Sequence, residues 1–181
     1  MSDYAINKLV QSVTDDLLAA AHRRFDATEG TPIERIFETG LHLFYGVSRV
    51  QGVRASFRRA DFPLEAMPPR DNLYRSADIW YWTQYPVLDW KVDFVLGKRG
   101  LDNSPHFVVV ECDGHDFHER TKEQAAKDRS RDRRLQDAGF RIHRYTGHEL
   151  YKQPYECVSQ ALTALLEQSL GRSSATKEEG Q

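Results

Sequence analysis

A chain of 181 residues, 40% hydrophobic and 29% charged, has the size and composition of one globular domain, typically ~100 to 150 residues, and leaves little room for two. No apolar run approaches the ~20 residues of a bilayer span, the first residues lack the basic-then-apolar order of a secretory signal, and two cysteines give no disulfide framework, so a cytoplasmic setting without membrane contact is expected. A formal net charge of -2 excludes a general attraction for polyanions, yet residues 120–144 hold nine cations against four anions. Most cations of the chain are Arg, whose planar fork suits phosphate better than the point charge of Lys.

Ile6, Leu9, Val10, Val13, Leu17, Ala21 and Phe25 recur at intervals of three and four, the signature of an amphipathic helix that ends near Gly30. Thr31-Pro32-Ile33-Glu34 then predicts a second helix, with Thr as N-cap, Pro at the first position and Glu at the third, as in a capping box. That helix buries Ile33, Ile36, Phe37, Leu41 and Phe44 and stops near Gly46. Residues 48–76, with three prolines and six arginines, read as a short strand or helix followed by an irregular loop, a natural place for a variable insertion. Residues 79–85, 88–96 and 106–113 are β-branched, aromatic and alternating, and predict strands, the last two joined by a hairpin loop over 97–104. A polar helix over 119–138 is closed by Gly139, residues 140–145 form a strand, and residues 154–170 form an amphipathic helix with Val158, Leu162, Leu165 and Leu166 inward. Thr146-Gly147-His148-Glu149 is a further helix-start cap. The expected organisation is an N-terminal helix over 1–30, one mixed α/β domain over 31–170 and a small polar tail over 171–181 that is expected to be disordered.

A hairpin whose paired numbers sum to 204 sets Val92 against Cys112, Phe94 against Val110 and Leu96 against Val108, a wholly apolar face. The opposite face then sets Asp93 against Glu111 and Lys91 against Asp113. Directly opposed carboxylates repel, so a cation belongs between them. Mg²⁺ or Mn²⁺ suits carboxylate and carbonyl oxygens, and the Cys112 backbone carbonyl is a further candidate ligand.

Val92-Asp93-Phe94, the run from Val109 to His118 (Val-Val-Glu-Cys-Asp-Gly-His-Asp-Phe-His), Asp128-Arg129, Arg131-Asp132-Arg133 and Gly139-Phe140-Arg141-Ile142-His143-Arg144 together resemble the PD-(D/E)XK nuclease superfamily, and within it the small endonuclease-like domains related to very-short-patch-repair endonucleases. The resemblance implies a restriction-endonuclease-like fold, a mixed central sheet flanked by helices, and Mg²⁺- or Mn²⁺-dependent cleavage of DNA phosphodiesters, in repair or restriction. By resemblance Asp93 and Glu111 are the metal-binding acids and Glu34 the acid of the preceding helix, a role that can coexist with capping. Asp113 stands where the superfamily usually carries Lys and is read as a second ligand or as the orienting partner of a histidine.

Lys91, Lys122 and His118, with His115 behind it, are the groups that could compensate for the missing Lys, His118 as general base near the attacking water. Lys127, Arg129 and Arg133 would hold phosphates without reading bases, although a solvated, salt-bridged helix face is the bland alternative. Gln84 reads as a group that supports the metal-binding acids, a DNA contact or simply an edge-strand Gln. Competing functions are a catalytically degenerate nucleic-acid-binding module of the same fold, a nuclease of RNA or branched junctions, and a structural partner; a homodimer is compatible with each.

Overall fold

The computed structural model describes residues 2–50, 56–69, 78–114 and 121–171. Helices α1 (Ser2–Ala27) and α2 (Pro32–Val50) lead into β1 (Ser56–Arg59) and a 3₁₀ turn (Leu64–Ala66). Strands β2 (Asp78–Val87), β3 (Trp90–Arg99) and β4 (Pro105–Asp113) follow, then α3 (Lys122–Asp137), β5 (Arg141–Thr146), α4 (Gly147–Lys152) and α5 (Pro154–Ser169). The five strands form one mixed sheet in chain order, antiparallel across β2-β3-β4 and parallel at both outer pairs. This is the α/β, restriction-endonuclease-like architecture expected, a mixed central sheet flanked by helices. Residues 51–55 and 70–76, both within the expected insertion, and the tail from 172 lie outside the described residues.

Both sheet faces are covered. On one, Phe37 and Leu41 of α2, Leu150 of α4 and Val158, Leu162 and Leu165 of α5 pack on Ile79, Tyr81, Phe94, Leu96, Val108 and Val110. Phe37 is fully buried with its ring 5.1 Å from that of Phe94, and truncating such a ring typically costs ~3 to 5 kcal/mol. On the other face Leu135 of α3 and Leu64 and Met67 beside the 3₁₀ turn pack on Trp82, Val87, Val92, Val95 and Val109. Leu166, expected inward on α5, is 39% exposed, because the contact face of that helix is already filled by the residues a turn away.

The hairpin register sums to 204 as expected, but it runs only from Phe94↔Val110 to Arg99↔Pro105, and the strands continue through residues 97–99, which the turn-forming composition places in the loop. The expected pairs of Asp93 with Glu111 and of Lys91 with Asp113 are not rungs of this ladder. The cause is a switch of side-chain parity. In β2, Ile79 and Tyr81 face the α5 layer, whereas Tyr85 and Val87, also odd-numbered, face the α3 layer. In β3, Phe94 and Leu96 face α5 while Val92 faces α3, so Val92 does not share the apolar face predicted for it. The two switches fall at Gln84, whose φ is +50°, and at Asp93; the flanking ladder pairs are Thr83↔Phe94 and Tyr85↔Val92. Both polar side chains are thereby turned out of the regular alternation at one rung.

Candidate active site

Glu34 enters from the first turn of α2, where Thr31 is the cap: the Glu34 amide donates to the Thr31 hydroxyl at 3.4 Å, and that hydroxyl donates to Glu34 Oε1 at 2.8 Å. The other carboxylate oxygen, Oε2, accepts from the Gln84 side-chain amide at 3.0 Å. Space for it exists because residue 30 is glycine: a Cβ there, at a φ of +113°, would sit 2.6 Å from Oε2. Glu34 therefore serves the cap and the site at once.

The Gln84 amide nitrogen also donates to Asp93 Oδ1 at 3.2 Å, and Asp93 Oδ2 accepts from the backbone amide of Cys112 at 2.7 Å. One amide thus holds two carboxylates from different elements. Gln84 lies beyond the stretch of β2 that pairs with β1, which ends at Tyr81, but its side chain points at the carboxylates rather than playing the part of an edge-strand Gln.

Glu111, buried at the C-terminal end of β4, is ion-paired with Arg131 of α3, which also donates to the Lys91 carbonyl at 3.3 Å. Burial pushes the Glu111 carboxyl up to about 7; Arg131 and Arg144 oppose the shift, and Asp93 and Asp113 add to it. The Cys112 thiol is likewise raised by burial, then by the charges of Asp93, Glu34 and Glu111, so all three carboxylates lie within electrostatic reach of one residue. Arg144, beside Glu111 in the parallel ladder, makes two bonds to Asp132, at 2.7 and 3.2 Å, and approaches Asp113 at 3.7 Å. Among the described residues Arg144 of β5 approaches Asp113 where Lys91 is expected from across the hairpin.

Two guanidinium groups, from α3 and β5, stand among the carboxylates. Arg131 keeps a buried Nε with no hydrogen-bond partner among the described residues, a donor able to take an anionic ligand. Arg131 could have been found by counting back from Leu135, the one large apolar residue of α3: positions 128, 131, 132 and 135 form a single helical stripe, and each is at least half-buried. The same count turns Lys127, Arg129 and Arg133 outward, where all three are exposed. Other cations of the basic segment are held internally, Arg134 by Asp89 and Arg141 by Glu167. His115 and His118 lie outside the described residues, as does the side chain of Lys122, whose backbone opens α3 behind the Thr121–Gln124 capping box.

Among the described residues no group of three or more His, Cys, Asp or Glu side chains is gathered closely enough to be a ready-made metal cage, and no helix is long and apolar enough to cross a membrane. Comparison with curated proteins and with solved structures gives no significant match. One family model matches residues 72–165, a span that holds Gln84, Asp93, Glu111, Asp113, Arg131 and Arg144 and leaves Glu34 outside it. The match takes in just over half of the chain, which therefore belongs to the restriction-endonuclease-like family REase_MTES_1575.

Proposed function

We propose that this chain is a metal-dependent endonuclease of the PD-(D/E)XK type, akin to very-short-patch-repair domains, that hydrolyses DNA phosphodiester bonds. The observation that carries the reading is the break in the central hairpin, where Gln84 holds Glu34 and Asp93 together and Asp93 takes the amide of Cys112, the residue next to the buried Glu111 and its partner Arg131. Such a grouping is costly to fold around, which argues for use rather than for stability.

The donor chemistry fits Mg²⁺ or Mn²⁺. Burial holds the Glu111 carboxyl at about 7 even with Arg131 beside it, so a further cation would favour its ionised form, and Glu34 and Asp93 share a single amide donor where a hard cation would satisfy both. Asp93, Glu111 and the Cys112 carbonyl would hold the ion, with Glu34 reaching it directly or through water. Bound there, a divalent ion supplies an activated water and neutralises charge on the scissile phosphate.

The chain's own groups do the rest. Arg131 and Arg144 provide the positive charge that Asp113, standing in the Lys position, does not, and the unfilled Nε of Arg131 suits a phosphate oxygen. Lys127, Arg129 and Arg133 hold backbone phosphates. His118 or Lys122, on the sequence alone, is the group that moves the proton or steadies the leaving oxygen.

One observation favours a second reading, a binding module without catalysis: Glu111 already has a cation, Arg131, bound to it. A cleavage panel separates the two. Single-stranded, duplex, mismatched and branched DNA and the matching RNA are incubated with Mn²⁺ and either wild type or Asp93→Asn. Cleavage by wild type alone supports the nuclease. No cleavage of any substrate, with equal DNA binding by both proteins, leaves the binding module.

A further inference from the structure

Among the described residues helix α1 is anchored at its C-terminal end alone. Its last turns are fixed by an ion pair from Arg24 to Glu38 at 2.7 Å, by Arg35, which donates to the Phe25 carbonyl and lies 4.0 Å from the centre of the Phe25 ring, and by burial of Thr28. Residues 21, 24, 25 and 28 are the positions of this segment that lose exposure, one helical line facing α2. Continued toward the N-terminus, that line becomes Ile6, Val10, Val13 and Leu17, and there nothing among the described residues covers it: exposure runs from 38% at Leu17 to 57% at Ile6 and Val10. With Leu9 beside them these residues leave roughly 500 Å² of largely apolar surface open, the size at which an exposed patch marks an interaction site.

We propose that this overhang is a homodimerisation surface, paired antiparallel with α1 of a second copy. The spacing of the line is four, three, four, and it reads the same in both directions. An antiparallel partner therefore sets Ile6 against Leu17 of the second copy and Val10 against its Val13, which is the self-complementarity that a two-fold interface requires. Between residues 2 and 18 the charges are Asp3, Asp15 and Asp16 against Lys8, so the overhang repels both nucleic-acid phosphates and anionic lipid headgroups. A protein partner fits it, and the palindromic stripe selects the chain itself.

The test reads mass and cross-linking, so it stands or falls separately from the nuclease reading. Sedimentation equilibrium of the full chain at tens of micromolar should give twice the monomer mass. Val10→Asp or Val13→Asp should weaken association by ~100-fold or more, as expected for charges forced into an apolar interface, with the circular dichroism spectrum and thermal midpoint of the monomer retained, because neither side chain is in the core. Under mild oxidation Val10→Cys/Val13→Cys should form covalent dimers while Val10→Cys alone does not; the native Cys112 and Cys157 are buried. A monomeric wild type, a dimer indifferent to both Asp variants, equal cross-linking by the single Cys variant, or a wild type that is monomeric and binds anionic vesicles would each overturn the proposal.

Discussion

The amide of Cys112 donates to Asp93 Oδ2 at 2.7 Å, at the point where the next rung of the β3–β4 ladder would otherwise form. A side chain has replaced a backbone acceptor, and the two strands part around it. Because the bond is charge-assisted and half-buried, its loss is costly in one form and mild in another. Asp93→Ala orphans the Cys112 amide and should lower stability by ~1 to 3 kcal/mol. Asp93→Asn keeps an acceptor there and should unfold within about 1 kcal/mol of wild type, while cleavage is lost. Denaturant unfolding beside the cleavage assay checks both; an Ala variant as stable as the Asn variant would deny the bond its structural role.

Gln84 gives the second expectation. Its amide separates the carboxylates of Glu34 and Asp93, so Gln84→Ala leaves like charges facing each other without a shared donor. In chelator the variant should lose ~1 to 3 kcal/mol of stability. Millimolar Mn²⁺ should restore most of that loss if the carboxylates bind a cation, since a ligand that binds only the folded state stabilises it by mass action. A deficit that Mn²⁺ leaves untouched would count against the proposed ion position. Gly30→Ala should act in the same direction, since its Cβ would sit 2.6 Å from Glu34 Oε2 at a backbone φ of +113°.

Glu111 sets a pH dependence. Its carboxyl stands at about 7 in the folded protein against an ordinary 4.5, chiefly through burial. Between those values the folded protein keeps a proton that the unfolded chain has released. Stability from this group is therefore complete below the ordinary value and declines as pH rises through about 7. Glu111→Gln should flatten that decline in chelator, and the slope rather than the midpoint is the measurement, because the same change strips Arg131 of its anion. Mn²⁺ affinity should run the other way, rising by up to ~10-fold per pH unit until the carboxyl is ionised near 7, because the ion must displace a proton. Calorimetric titration across pH checks this; an affinity independent of pH would remove Glu111 from the ligand set.

Several of these relationships were legible in the sequence and several were not, for physical reasons. Loop symmetry and period-two alternation fix the register of Phe94 with Val110 and Leu96 with Val108, because both depend only on neighbouring residues. The parity switch at Gln84 is not local in that sense. A glutamine with φ of +50° is strained, and it is stable only because Glu34 and Asp93, from separate elements, hold its side chain. Alternation extended through it misplaces Val92 and pairs Asp93 directly with Glu111. Arg131 was hidden by company: among nine cations in residues 120–144, composition cannot tell the one turned to the sheet from those turned to water. Only the phase of the helix relative to Leu135 can. The stripe on α1 shows the converse, since its pattern announces an amphipathic helix correctly but does not say what the apolar side meets.

That division of the basic helix gives the last expectation. Lys127, Arg129 and Arg133 are exposed, whereas Arg131 is half-buried against Glu111. If the outer three neutralise phosphates, each releases counterion, and the slope of log affinity against log salt for duplex DNA should flatten by ~0.9 for every one replaced by Ala. Weakening should be equal across sequences, because phosphate contacts orient the duplex without reading it. Arg131→Ala should behave differently. It leaves a buried carboxylate without its cation, which typically costs ~3 to 5 kcal/mol, so Arg131→Lys is the informative partner variant: it keeps the charge but loses the second nitrogen that could reach a phosphate. In that variant the salt slope should be nearly unchanged and the cleavage rate reduced. Filter binding over a salt series, run beside single-turnover cleavage, separates the two classes. Equal slopes for wild type and the triple Ala variant would make the outer face of α3 a solvated surface and move the DNA path elsewhere on the protein.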